Sequence, residues 1–327
     1  MRRLLLAIFV LPLLQGQWIL QPAPTTAGLR GIHALNSNLA WASGANGTIL
    51  RTTNGGQTWL NCSIPPNAEK LDFRGVQAFS ETTAVIMSAG KGDLSRIYKT
   101  TDACRSWKLL FSNPDKEGFW DALQFSTPNF GIVLGDPVDG HFPIFVTSNG
   151  GKTWRRLAKD RIPKAKEGQA IFAAGNSSLF IGDKNRKIYF VTGGGANELI
   201  EVSLKSARPK ATSLPGLATG PTAGAFSLGV RMEGPRMVMV TVGGNYKLPE
   251  QANGGAAFAT NPPSGFRSAV AYDATAKHWI AVGPNGTDIS TDDGATWRAQ
   301  TGAGQNWNAL SLPFVVGPKG RIGKLTR

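Results

Sequence analysis

At 327 residues the chain suffices for one large repeat domain or two ordinary ones, and 41% hydrophobic residues allow a substantial core. Its 40 glycines, 20 prolines and only 17% charged residues point to an all-β chain of short strands and many turns. The formal charge of +14 favours anionic partners, yet no basic helix or nucleic-acid motif accompanies it, and two cysteines cannot make a four-ligand zinc site; we expect no nucleic acid, metal or cofactor.

In chain order, Met1-Arg2-Arg3 followed by the apolar stretch 4–14 has the form of a secretory signal, too short to span a bilayer. We expect a signal peptide over residues 1–16, a single domain over 17–327, and a monomer, secreted or periplasmic, with no membrane span. Next comes Gln17-Trp18-Ile19-Leu20, which resembles Thr58-Trp59-Leu60-Asn61 further on. That second segment closes a motif, Thr52-Thr53-Asn54-Gly55-Gly56-Gln57-Thr58-Trp59. The motif recurs around Asp102 and Trp107, Asn149 and Trp154, and Asp292 and Trp297. The tryptophans are spaced by 48, 47 and 143 residues, and the last interval holds room for two degenerate copies, 191–199 and 259–266.

Upstream of each motif lies a short strand opened by Arg or Trp, as in Arg30-Gly31-Ile32-His33, Arg74-Gly75-Val76-Gln77, Trp120-Asp121-Ala122-Leu123, Arg267-Ser268-Ala269-Val270 and Trp307-Asn308-Ala309-Leu310. Segments 169–174 and 223–229 fill the two gaps. A second strand ending in a Gly-rich turn follows each start. Four strands per unit of 40 to 50 residues, seven times over, predict a seven-bladed β-propeller. The chain ends before the seventh unit is complete, so its N-terminal strand is expected to supply the outer strand of the last blade and remove the open edge.

In each motif, Asn or Asp accepts backbone N–H groups, Gly takes positive φ and Trp buries a large apolar face, so Asn54, Trp59, Asp102, Trp107, Asn149, Trp154, Asp292 and Trp297 read as structural. These motifs resemble those of the BNR/Asp-box superfamily, which includes sialidases and the photosystem II stability/assembly factor-like propellers. Phe119-Trp120-Asp121-Ala122, the run 135–140 and Val242-Gly243-Gly244-Asn245-Tyr246 are similar to segments of bacterial members of the second group. The resemblance covers essentially the whole mature chain. It implies an exported, non-enzymatic propeller that acts as a protein-binding scaffold.

The strand starts and the second-to-third strand turns share one face of such a ring. This reading puts Arg30, Arg74, Trp120, Asp121, Arg267 and Trp307 at the channel mouth, joined by Asp136, Asp139, His141, Asp183 and Tyr246 from the turns. Three arginines suit a carboxylate or an acidic protein segment. The alternatives are a sialidase-like glycoside hydrolase with Tyr246 as nucleophile and a carbohydrate-binding propeller with Trp120 and Trp307 as platforms. Cys62 and Cys104 fall in adjacent blades and are a candidate disulfide.

Overall fold

The computed structural model describes residues 16–326 except 174, 207–208, 301 and 303. Apart from Gly16, the expected signal peptide lies outside the described residues. Among those described, seven four-stranded sheets form a closed ring. The inner strands are Leu29–Ala34, Phe73–Ala78, Trp120–Phe125, Leu179–Gly182, Gly220–Glu233, Ala269–Asp273 and Ala309–Ser311. The N-terminal strand Trp18–Gln21 pairs antiparallel with Ile322–Leu325, so the first residues of the ring complete its last blade. Trp18 is buried there against Trp307, and its indole donates to Thr287 Oγ1 at 3.1 Å. No helix among the described residues is long and apolar enough to cross a membrane.

The second strands Ala40–Gly44, Ala84–Ser88 and Gly131–Gly135 are buried along their whole length. A strand covered on both faces by neighbouring blades has no solvent side, so its sequence shows no alternation. Aromatic side chains fill the wedges between blades. Trp59 packs edge-on against Phe314, Trp41 against Trp107, and Phe111 stacks on Trp154.

The four clear motifs all form the same turn between third and fourth strands. Asn54 Oδ1 accepts the Thr58 N–H at 3.0 Å, Gly56 N–H donates to Thr52 Oγ1 at 3.0 Å, and Asp102, Asn149 and Asp292 repeat the pattern. In the second motif Cys104 occupies the position of Gly56, Gly151 and Gly294, with the same left-handed backbone, φ 63°. Its sulfur is bonded to Cys62 of the neighbouring blade, across a Cα–Cα distance of 5.3 Å.

The two degenerate copies do not make such turns. Residues 191–199 lie between the second and third strands of blade four, Lys187–Val191 and Glu198–Ser203. Residues 259–266 lie against the blade-six motif, where Asn261 Nδ2 donates to Trp297 O. The cause is a one-strand shift: the inner strand of blade four is Leu179–Gly182, not 169–174. Consequently the turn at 183–185 sits on the same face as the motifs, where Asn185 meets Ser126, rather than at the mouth.

Innermost strands have no sheet neighbour on their channel side, except that Gly220–Glu233 meets Gly193–Gly194 at Gly220 and Gly224. Their exposed N–H groups are met by side chains of the adjoining blade: His33 Nδ1 accepts Ala78 N–H, Gln77 Oε1 accepts Phe125 N–H, Gln124 Oε1 accepts Ile181 N–H, Ser227 Oγ accepts Val270 N–H and Ser311 Oγ accepts Ala34 N–H. Such groups left unpaired would be costly.

Two predictions follow from these contacts. Burial lowers the His33 pKa from its usual 6.5 to about 4. A depressed folded pKa gives stability that is present above pH 6.5 and lost as the pH falls through about 4. Gln fills the same role in blades two and three, so His33→Gln should fold and flatten this acid-side loss, worth up to about 3 kcal/mol, when melting temperature is followed from pH 7 to 4. At the disulfide, closing a 42-residue separation is worth about 4 kcal/mol. Cys62→Ala with Cys104→Gly should recover about 1 kcal/mol of that loss relative to Cys62→Ala with Cys104→Ala in denaturant unfolding, because glycine tolerates the left-handed backbone.

Candidate functional site at the channel mouth

Call the face of the second-to-third strand turns the upper face. There, four inner strands begin with a one-residue bulge: their pairing jumps from residue 29 to 31, 73 to 75, 120 to 122 and 225 to 227. A bulge re-aims the side chain of the extra residue, here Arg30, Arg74, Asp121 and Phe226. In blades six and seven Ser268 and Asn308 follow the buried Arg267 and Trp307 as Arg30 and Arg74 follow the buried Leu29 and Phe73. Arg30, Arg74, Phe226, Ser268 and Asn308 line a cavity of about 280 Å³, together with Phe172, Ala173, Tyr246 and Phe266.

The floor comes from a segment with no sequence signature. Residues 171–173 and 175–178, the first three of them expected as part of an inner strand, instead cross the channel. Ile171 N–H donates to Asp136 Oδ1 at 2.8 Å, Ala173 O accepts from Arg74 Nη1 at 3.3 Å, and Asn176 Oδ1 accepts Leu123 N–H at 2.7 Å. Gly175 passes so close to blades seven and one that a Cβ would lie 2.7 Å from that of Ala309 and 3.1 Å from Arg30 O. Phe172 stacks on Phe226 with ring centroids 4.1 Å apart.

One side of the cavity is aromatic and the other cationic. Arg74 Nε donates to Asp72 Oδ2 at 2.8 Å. The Arg30 guanidinium has no hydrogen-bond or ion-pair partner among the described residues. Burial lowers its pKa, Arg74 lowers it further, and Asp72 opposes both. A partly desolvated arginine beside a second arginine is a strong site for an entering carboxylate, since the free state leaves its charge uncompensated.

The structure brings together only part of the expected set. Arg30, Arg74 and Tyr246 meet at the cavity. Arg267 does not: it occupies the inward position held elsewhere by Leu29, Phe73, Trp120 and Trp307, is 1% exposed, is neutralised by Asp288 and donates hydrogen bonds to Asn285 and Ser264. A one-residue slip inverts a side chain's direction, and the sequence reading placed this arginine one residue out of phase. Trp120 and Trp307 are fully buried and present no platform. Asp121 is buried with Oδ2 unpartnered; burial first and Asp136 second push its pKa well up, against the pull of Arg74. Asp139 is exposed and paired with Lys159, while His141 bonds Asp139 O, both away from the cavity. Phe172, Phe226 and Phe266 were missed. Phe172 and Phe226 lie inside the expected strands 169–174 and 223–229, and Phe266 ends the expected motif copy 259–266, but neither pattern says that these rings line the mouth.

No protein-family model and no curated protein matches the chain. Among solved structures, the fold matches YCF48 bound to a D1 peptide, with TM-score 0.63 and 18% identity over 96% of this chain and 99% of that one. YCF48 from Cyanidioschyzon merolae gives TM-score 0.63 and 19% identity, over 94% and 98% of the two chains. The expected seven-bladed fold, with its N-terminal closure, is therefore established. A GH74 xyloglucanase from Xanthomonas campestris overlaps at TM-score 0.38, too distant to bear on function.

Burial raises the Asp136 pKa from 3.8 to about 6, partly offset by the Ile171 N–H. A raised carboxyl pKa means stability that is present below pH 3.8 and lost as the pH rises through about 6. Asp136→Asn, which retains an acceptor for Ile171, should therefore stabilise the protein by about 2 kcal/mol at pH 8 and leave it little changed at pH 4, measured by denaturant unfolding at both.

Proposed function

We propose that this protein is an exported, non-enzymatic scaffold that assists assembly by holding a carboxylate-bearing segment of a partner protein in the upper-face cavity. The observation that carries this reading is the unpartnered guanidinium of Arg30, half-buried beside Arg74 and facing the aromatic wall of Phe172, Phe226, Tyr246 and Phe266. Such a cavity suits a carboxylate next to an apolar or aromatic side chain: the arginines take the charge and the rings take the apolar group. That a structure of the same fold, YCF48, holds a D1 peptide supports a peptide as the class of ligand. The signal-like segment 1–16 and the Cys62–Cys104 bond fit an oxidising compartment outside the cytoplasm.

Hydrolysis of a sialoside fits less well. Tyr246 is 42% exposed and lies among Phe172, Phe226 and Lys247, and no carboxylate contacts its hydroxyl among the described residues. A tyrosine nucleophile needs such a base. Sugar stacking on Trp120 and Trp307 is unsupported because both are buried.

A short peptide carrying one aromatic residue beside one carboxylate tests the proposal by calorimetry. Binding should weaken as salt rises, and Arg30→Gln and Arg74→Gln should each reduce affinity about tenfold, the worth of one charge-assisted bond. Equal affinity of wild type and both variants, or of the acid and its amide, would remove it.

A further inference from the structure

A second cavity opens on the same face, at the seam where the ring closes. It measures about 450 Å³ and is lined by the stretch 20–25 that leads from the closing strand, by Asn306, and by the blade-seven turn Pro318, Lys319, Gly320 and Arg321. Its charged lining residues are Lys319 and Arg321, and no acidic residue joins them. The Arg321 guanidinium lies over the Trp307 ring at 4.7 Å, which fixes its plane. Its side chain makes no hydrogen bond or ion pair among the described residues, and Nε is buried without an acceptor. Lys319 is exposed, held at the turn by a left-handed backbone, φ 56°. Other arginines with little exposed side chain are matched, Arg231 by Asp293, Arg156 by Asp115 and Arg267 by Asp288, whereas Arg321 shares with Arg30 the lack of an acid partner among the described residues. A stacked, partly desolvated and unmatched guanidinium beside a lysine is a built receptor for an anion.

The linings of the two cavities come within two residues of each other along the chain. Asn308 lines the first and Asn306 the second. Asn308 Nδ2 donates to Leu29 O, Leu29 N–H to Gly317 O and Gly320 N–H to Ala27 O, which ties the blade-seven turn directly to the segment that carries Arg30. Two residues of chain can span at most about 7 Å, so the two linings approach closely enough for a few residues of ligand to reach from one to the other.

We infer that the Lys319–Arg321 cavity is a second anion subsite of the same surface, and that the partner is an extended acidic peptide with one carboxylate at Arg30 and Arg74 and another, a few residues away, at Arg321. This rests on the peptide-binding reading of the first cavity.

The test compares two probes by calorimetry at low salt: the short single-carboxylate peptide, and the same peptide extended by four glutamates. Wild type should bind the extended probe about tenfold more tightly or better. Lys319→Gln with Arg321→Gln should abolish that gain and leave the short probe's affinity unchanged, whereas Arg74→Gln should weaken both. Lys319→Gln alone, at an exposed side chain outside the core, should reduce the gain severalfold, which guards against loss of packing on Trp307. Equal affinity of wild type and the double variant for the extended probe would overturn the second subsite while leaving the first intact. A short probe indifferent to Arg74→Gln, with the extended probe still dependent on Arg321, would overturn the first reading and the bridging peptide with it. Binding of neither probe would overturn both.

Discussion

A closed ring of sheets has a chemical problem at its centre. Each blade's outer strands satisfy one another, but the innermost strand turns a row of N–H and C=O groups toward the channel with no further strand to meet them. The molecule answers with side chains: His33, Gln77, Gln124, Ser227 and Ser311 each take an N–H from the next blade's inner strand. These bonds run between blades, so they both neutralise the edge and hold the ring to its curvature. The same need explains why these inner strands carry His33, Gln77, Gln124, Ser227 and Ser311 among their apolar residues, and why burial holds His33 toward its neutral form.

Where those bonds are replaced, the chain does something else. Blade four is preceded by residues 171–173 and 175–178 drawn across the channel, and Asn176 Oδ1 accepts the Leu123 N–H of blade three. The segment thus performs from inside the channel what Gln77 and Gln124 perform from the strands. It also brings Phe172 and Ala173 into the lining of the upper-face cavity.

Much of this was legible in the sequence. The motif tryptophans fixed the repeat length, the Gly-rich turns counted the blades, and Trp18 marked the closing strand, because each signal reflects a local turn or a wedge between blades that every repeat must fill. Blades four and five were misread because periodicity assigns strands by counting, and the count fails when one segment leaves the sheet. The degenerate motif at 191–199 looks like its relatives, yet it connects different strands: Thr192 and Glu198 bond each other in a turn on the opposite face. Arg267 was misread for a subtler reason. Its neighbours align with Arg30 and Arg74 as letters, but only register pairing reveals that a bulge intervenes in one case and that Arg267 holds the inward place of a tryptophan in the other. Nothing in a sequence states whether an arginine is matched, so Arg30, placed at the mouth with Arg74 and Arg267, was not set apart from them, and Arg321 carried no signal, until Asp288, Asp293 and Asp115 were seen to be taken by other arginines.

The irregular blades also account for the character of the cavity. Seven equal repeats would set seven equal residues around the mouth, and a ring of seven arginines would repel itself and bind any anion alike. Here the regular blades one, two and seven contribute Arg30, Arg74 and Asn308, while Phe172, Phe226, Tyr246 and Phe266 come from the stretch where the repeat breaks. The channel-crossing segment brings Phe172 onto Phe226, and the long Gly220–Glu233 strand places Phe226 at its bulge. Cation on one side and aromatic surface on the other give the mouth a direction, and under the proposed function a ligand would have to offer charge and apolar group in a set order. The repeat supplies the frame on which the side chains stand, and the break in the repeat supplies the asymmetry that recognition requires.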